Sequence, residues 1–351
     1  MSSSNKSSSS NSLLSTQTLV AAGIGWALLA LLFFLLFSAA APGEERPTWY
    51  LISTYVLELV AFLSAGLLCM RNWRSSQIVS GRTVWLCLGL GCLFYFLGSL
   101  GFGVWELVFN VDPLVSLGDL FYLASYVSLV WGIVLAVTSR RLNLSLWQWV
   151  GLAASAAISI TLAALLKTAP DEAATNVMVP PANAAVVQVE SISNTEHSEL
   201  LLAQSPAASP ASPTPSVAPD PAASPAEEPT NAPGWVLAID NLLAPLEGPV
   251  NLFYVLADIV LLIAATALLL AFWGGRLVQS WRMIAAAAVC LYIGDMYTLY
   301  AWNFIADYQS GALLEVVYVF SGVLFAIGAA LEFSTSASRS RRGRRRSGGG
   351  A

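Results

Sequence analysis

Eight times along this chain, about 20 residues pass with almost no charge, the length a helix needs to cross a hydrocarbon core of about 30 Å. The runs lie near 19–41, 50–70, 84–106, 114–137, 147–166, 250–273, 283–304 and 312–332. Lipid offers no hydrogen bonds, so a spanning segment must satisfy its own backbone, as a helix does and an open strand does not. The expected fold is all-α: a polytopic membrane bundle of about eight transmembrane helices. Composition excludes a soluble domain, because 11% charged residues fall far below the roughly one quarter that covers a soluble surface. The first run ends in "FSAAAP", whose small residues suit signal-peptide cleavage. Its apolar stretch exceeds the ~7–15 residues of a signal-peptide core, so a retained helix is expected.

Basic residues orient the bundle. All but Arg46 and Lys167 of the 16 Lys and Arg fall on one side of these spans, including the six arginines between 339 and 346. By the positive-inside bias that side is cytoplasmic, and it carries both termini. Of the 21 acids, Glu332 alone falls near it.

The halves of the chain echo each other. "YVLELVAFLSAGLLCMRNW" (55–73) and "YVLADIVLLIAATALLLAFW" (254–273) align Glu58 with Asp258, Trp73 with Trp273 and, beyond them, Arg82 with Arg282. After a four-residue shift, Gly98 aligns with Gly294, Ser99 with Asp295, Asp119 with Glu315, Tyr122 with Tyr318, Ser125 with Ser321 and Gly132 with Gly328. The expectation is two parallel four-helix repeats, 18–146 and 147–334, related about the membrane normal. Residues 1–17 form a disordered N-tail, and 335–351 a basic cytoplasmic tail held at the anionic leaflet rather than on nucleic acid.

The second repeat carries an insertion, 168–247, with ten acids, no base and a Pro/Ala/Ser-rich centre. Such a segment has too little apolar surface to offset its ordering entropy and is expected to be a disordered external loop. Within it, "NAAVVQVE" (183–190) and "GWVLAIDNLLAPL" (234–246) are apolar enough to touch the membrane, the second through Trp235 at the interface.

Carboxylates are the chemistry-bearing feature. Asp119 follows Ser116 at capping-box spacing, next to the positive end of a helix dipole, and Glu315 repeats the charge with Ala312 in place of serine. Glu58, Asp258 and Asp295 lie deeper, where each charge costs about 2.5–3.5 kcal/mol on insertion scales. No Lys, Arg or His sits in any span to neutralise them, so they are expected to face the bundle interior. Ser99, Asn251, Tyr254, Tyr292, Ser125 and Ser321 stand at comparable depth as hydrogen-bond partners. Together, Glu58, Asp258, Asp295, Ser99, Asp119, Glu315, Tyr122 and Tyr318 form the candidate site, either for a cation or proton or as helix-to-helix glue. Glu106 reads as an interfacial residue. Glycines 89, 91, 98, 101 and 103, with Gly322, Ala326 and Ala330, read as helix-packing surfaces.

Catalytic signatures are missing from the chain. Its single histidine is His197, no lysine lies in a span, and no P-loop, GxSxG or HExxH occurs. Cys69, Cys87, Cys92 and Cys290 make no CxxC pair. No enzyme activity, cofactor, metal or nucleic-acid partner is expected; membrane lipids and another membrane protein or a second copy are.

"DPLVSLGDLFYLASYVSLVWG" resembles a stretch of the multi-spanning N-terminal regions that precede GGDEF and EAL output domains in bacterial diguanylate cyclases, and those of some histidine kinases. Pro113, Ser116, Asp119, Tyr122, Leu123 and Tyr126 carry the likeness; Leu114–Val115 lacks a second proline, and Gly118 stands for the usual alanine. The resemblance implies a signal-receiving scaffold in a bacterial plasma or other internal membrane. About 19 residues follow the last expected span, so no output domain is expected on this chain. The expected function is a sensor-like or partner-binding membrane scaffold. A small transporter coupled to a cation or proton is the alternative.

Overall fold

The computed structural model describes residues 15–39, 45–109, 115–139, 145–168, 232–272, 278–305 and 308–347. Nine α-helices are present among these residues: α1 (Thr16–Phe37), α2 (Thr48–Arg74), α3 (Arg82–Val108), α4 (Leu117–Thr138), α5 (Leu146–Thr168), α6 (Gly234–Leu243), α7 (Glu247–Ala271), α8 (Val278–Phe304) and α9 (Val316–Ser347). Short 3₁₀ turns, Ala244–Leu246 and Leu313–Glu315, lead into α7 and α9. Eight candidate spans, each long and apolar enough to cross a membrane, are present among the described residues, α6 running on into α7 as one of them. The chain is a multi-pass helical membrane bundle.

Most helix ends fall within a few residues of the expected bounds, and the larger differences have local causes. The fourth helix starts at Leu117 rather than 114, because Ser116 caps it: its hydroxyl accepts the Gly118 N–H at 3.1 Å, and Asp119 accepts the Ser116 N–H at 2.7 Å. α8 begins at Val278, ahead of the expected 283, because polar Ser280 and amphipathic Trp281 are both buried and Ser280 donates to the Gly328 carbonyl at 2.8 Å. The tail from 335 is a correction: the last helix continues to Ser347. Arginine is a good helix former, and the Ser334, Thr335 and Ser338 hydroxyls fold back onto carbonyls of their own helix. The segment 234–246 is ordered: Val236 is buried, and Trp235 meets Trp105 and Phe109 edge to face. The rest of the expected external insertion, including 183–190, lies outside the described residues.

Six helices close a ring. α2 packs on α3, α3 on α4, α4 on α7, α7 on α8, α8 on α9, and α9 returns to α2. α1 lies against α9 and α2, and α5 against α7 and α8. Small residues set these approaches. A Cβ on Gly322 would stand 3.0 Å from the Phe62 nitrogen across the α9–α2 seam, and one on Gly91 3.2 Å from the Leu129 nitrogen across α3–α4. Side-chain hydrogen bonds repeat with the same register: Ser125 donates to the Gly91 carbonyl at 2.8 Å, and Ser321, 196 residues on, to the Ala287 carbonyl at 2.9 Å. Large apolar side chains such as Leu28, Leu32, Trp131 and Ile158 point outward, as contact with lipid requires.

The two ends of the ring differ. Arg71, Arg74, Arg82 and Arg282 lie at one end, where α2 finishes and α3 and α8 begin. In that half the interior is packed solid by Trp85, Leu88, Trp281, Ile284, Leu291, Leu261 and Leu268, all fully buried. Trp85 and Trp281, again 196 positions apart, face each other with ring centroids 5.6 Å apart, and Phe272 stacks on Trp281 at 4.7 Å. The opposite half holds the site.

Candidate functional site

Each ring helix contributes its half nearest the carboxylate end to one cavity of about 220 Å³. α2 gives Thr54, Tyr55 and Glu58; α3 gives Tyr95 and Phe102; α4 gives Asp119, Tyr122 and Tyr126. From the second half of the chain come Asn251, Tyr254 and Asp258 on α7, Asp295, Thr298 and Trp302 on α8, and Glu315 and Tyr318 at the start of the last helix. Five carboxyls and seven tyrosines thus share one space, and among the described residues no lysine, arginine or histidine lines it.

The rim acids are helix caps with a second task. Asp119 caps Ser116 through one oxygen and accepts the Tyr254 hydroxyl at 2.6 Å through the other, tying α4 to α7. Glu315 accepts the Gly311 and Ala312 N–H groups at 2.8 and 3.0 Å, so it caps without a serine and also takes the Tyr308 hydroxyl. Gly311 sits at φ +91°, a conformation that favours glycine, and a Cβ there would meet the Tyr50 ring at 2.8 Å. Arg46 and Tyr50 pin this loop: the guanidinium donates to the Gln309 and Ser310 carbonyls, and the phenol to the Gly311 carbonyl at 2.6 Å. Burial, and then the neighbouring Glu315 carboxylate, push the Tyr308 phenol above its ordinary value.

The deep acids are held by hydroxyls. Glu58 stands ten residues past Thr48, about 15 Å along the helix. It accepts the Ser99 hydroxyl, which in turn accepts Tyr122 at 3.0 Å. In the second half the position matching Ser99 is Asp295, which accepts Tyr318 at 3.1 Å and Tyr126, while its carboxyl also meets that of Asp258. Tyr126 reaches Asp258 at 3.0 Å as well, so one phenol of α4 bridges two carboxyls on α7 and α8. Asp258 is 2% exposed. Two carboxyls in hydrogen-bond contact need a proton on one of them, since an ionised carboxylate only accepts.

All eight candidate residues therefore converge: seven line the cavity, and Ser99 stands one hydrogen bond behind it. Three of the partners expected by depth do not join them. Ser125 and Ser321 satisfy themselves on neighbouring helix carbonyls, and Tyr292 packs with Leu166 and Met296 away from the acids. Glu106 is more than an interfacial residue, because it accepts the Tyr55 hydroxyl. Sequence reasoning missed Tyr126 as a site residue. It lies one helical turn past Tyr122, but its equivalent 196 positions on is Gly322, so comparing the two halves hid it.

Among the described residues no group of three or more His, Cys, Asp or Glu is arranged to hold a metal ion. What the lining provides is lone pairs, negative charge and aromatic rings. In comparisons with protein-family models, curated proteins and solved structures, nothing matches this chain.

Proposed function

We propose that the protein is a non-enzymatic, sensor-like membrane receptor. A solute enters the cavity at the carboxylate end, and the resulting change in helix packing is passed to a partner, either another membrane protein or a second copy of this chain. The observation that carries this reading is the sealed half of the ring. From Asp258 to Ala271 lie 13 residues, about 20 Å of packed interior closed by Trp85, Trp281 and Phe272. A site that is a dead end suits detection better than passage. The likeness of 113–126 to membrane sensor regions supports the same reading, and the arginine-rich end, taken as cytoplasmic, turns the cavity outward.

A transporter is the second reading, and one observation favours it. The serine bonds and the tryptophan pair recur at a spacing of 196, which supports two like-facing repeats, and the deep acids lie where those halves meet. Repeat-built transporters hold their coupling sites at such places.

Accessibility separates the two. Cavity residue Thr298→Cys, in a background lacking Cys69, Cys87, Cys92 and Cys290, is treated with an impermeant maleimide from either side of sealed vesicles. Labelling from the carboxylate end alone is the receptor outcome, with Ser76→Cys marking the opposite face. Labelling of Thr298→Cys from both faces overturns it in favour of alternating access.

A further inference from the structure

We infer that the solute taken by this cavity is a small protonated amine, an inference that rests on the receptor reading of the same cavity. Three observations converge on that chemistry. First, size: about 220 Å³ is below the ~300–1,000 Å³ of pockets that hold drug-sized ligands, so the guest has few heavy atoms.

Second, the hydrogen-bond inventory is short of donors. The hydroxyl hydrogens of Ser99, Tyr126, Tyr254 and Tyr308 all go to carboxyls, and Tyr122 donates to Ser99. Free lone pairs on the carboxyls and phenols remain to be satisfied. An anion or a carbonyl solute would add acceptors to a site already rich in them, whereas an alkylammonium brings three N–H donors together with a positive charge. That charge also offsets five carboxyls gathered without a basic residue among the described lining.

Third, the walls are aromatic. Tyr95 lies edge to face with Tyr122 at 5.0 Å and tilted to Tyr318 at 6.3 Å, while Tyr126 lies edge to face with Tyr254 at 5.7 Å. Rings so placed attract a cation through their faces and cover the methylene groups of its carbon chain. A bare metal ion has no use for such walls.

The test uses the full chain in lipid nanodiscs, titrated by calorimetry with putrescine as probe. The comparison ligands are 1,4-butanediol (same shape, no charge), tetramethylammonium (charge, no N–H) and sodium. Saturable binding of putrescine, with butanediol silent and tetramethylammonium markedly weaker, is the expected result. Asp295→Asn and Glu58→Gln should each weaken putrescine by about 10- to 100-fold, the loss of one charge-assisted hydrogen bond. Where either variant fails to give a folded monodisperse peak, Tyr126→Phe, which keeps the ring, serves in its place and should weaken binding by about three- to tenfold. A folded wild-type chain that does not bind putrescine, or that binds tetramethylammonium as well, overturns the inference. So does binding of putrescine unaffected by these substitutions. One-sided labelling of Thr298→Cys that putrescine does not slow sinks the amine while leaving the receptor reading intact; two-sided labelling sinks the receptor reading itself.

Discussion

At the residue scale the bundle's polar chemistry runs through tyrosine. Carboxyls within the bundle are costly unless bonded, and here phenols from other helices supply the hydrogens. Tyr126→Phe should therefore cost more than its one oxygen suggests. It leaves Asp258 and Asp295 without their shared donor, a loss of about 1–3 kcal/mol, read as a lower unfolding temperature in nanodiscs. Tyr308 gives a pH signature. Its folded-state value is raised by burial and Glu315, so the folded chain keeps a proton that the unfolded chain releases above about pH 10. Its contribution to stability is complete below that pH and is lost as pH climbs higher. Thermal unfolding between pH 8 and 11 should fall more gently in Tyr308→Phe than in the parent; identical slopes would exclude this role. The acids themselves were legible in the sequence because an unneutralised carboxylate in an apolar run has few innocent explanations. Tyr126 was not, because a tyrosine among Leu, Val and Ser looks like any other interior aromatic until its neighbours are known.

At the scale of the element, close approach and single hydrogen bonds set the helix contacts. Gly98 and Gly294 allow the Tyr122 and Tyr318 rings to lie where a Cβ would meet them at 2.7 and 2.6 Å. Gly98→Ala should displace Tyr122 from Ser99 and loosen the support of Glu58, an overpacking cost of about 1–3 kcal/mol. Ser125→Ala and Ser321→Ala should each cost about 0.6 kcal/mol, the average for hydrogen bonds between membrane helices, and their effects should add because the two bonds lie in different halves. Differential scanning of the two single variants and the double variant checks both statements. The spacing of glycines announced packing surfaces in advance, but not which helix would face which.

For the whole molecule the decisive feature is polarity along the bundle: an acidic, aromatic cavity in one half and a tryptophan-sealed core in the other. Trp85→Ala with Trp281→Ala should open that floor. In this double variant, Thr298→Cys, shielded from the arginine end in the parent, should become reactive from that face as well. Continued shielding would show that the remaining core closes the ring unaided. Topology is testable too: Ser310→Cys and Ser76→Cys should label from opposite faces, with Ser76 on the cytoplasmic side if the basic residues orient the chain.

Hydropathy and charge by themselves determined that the chain crosses a membrane about eight times, that it does so as helices, and that its embedded acids must turn inward. Those are consequences of solvation, which acts on each segment separately. Which helices meet is a different matter, since any apolar stripe packs acceptably on many others. Tertiary structure alone decided that α9 returns to α2 to close a ring, that Tyr126 crosses to reach Asp258 and Asp295, and that two tryptophans 196 residues apart meet to seal one end. Each depends on shape fitting and on hydrogen bonds between residues far apart in the chain, terms that no local pattern of residues encodes.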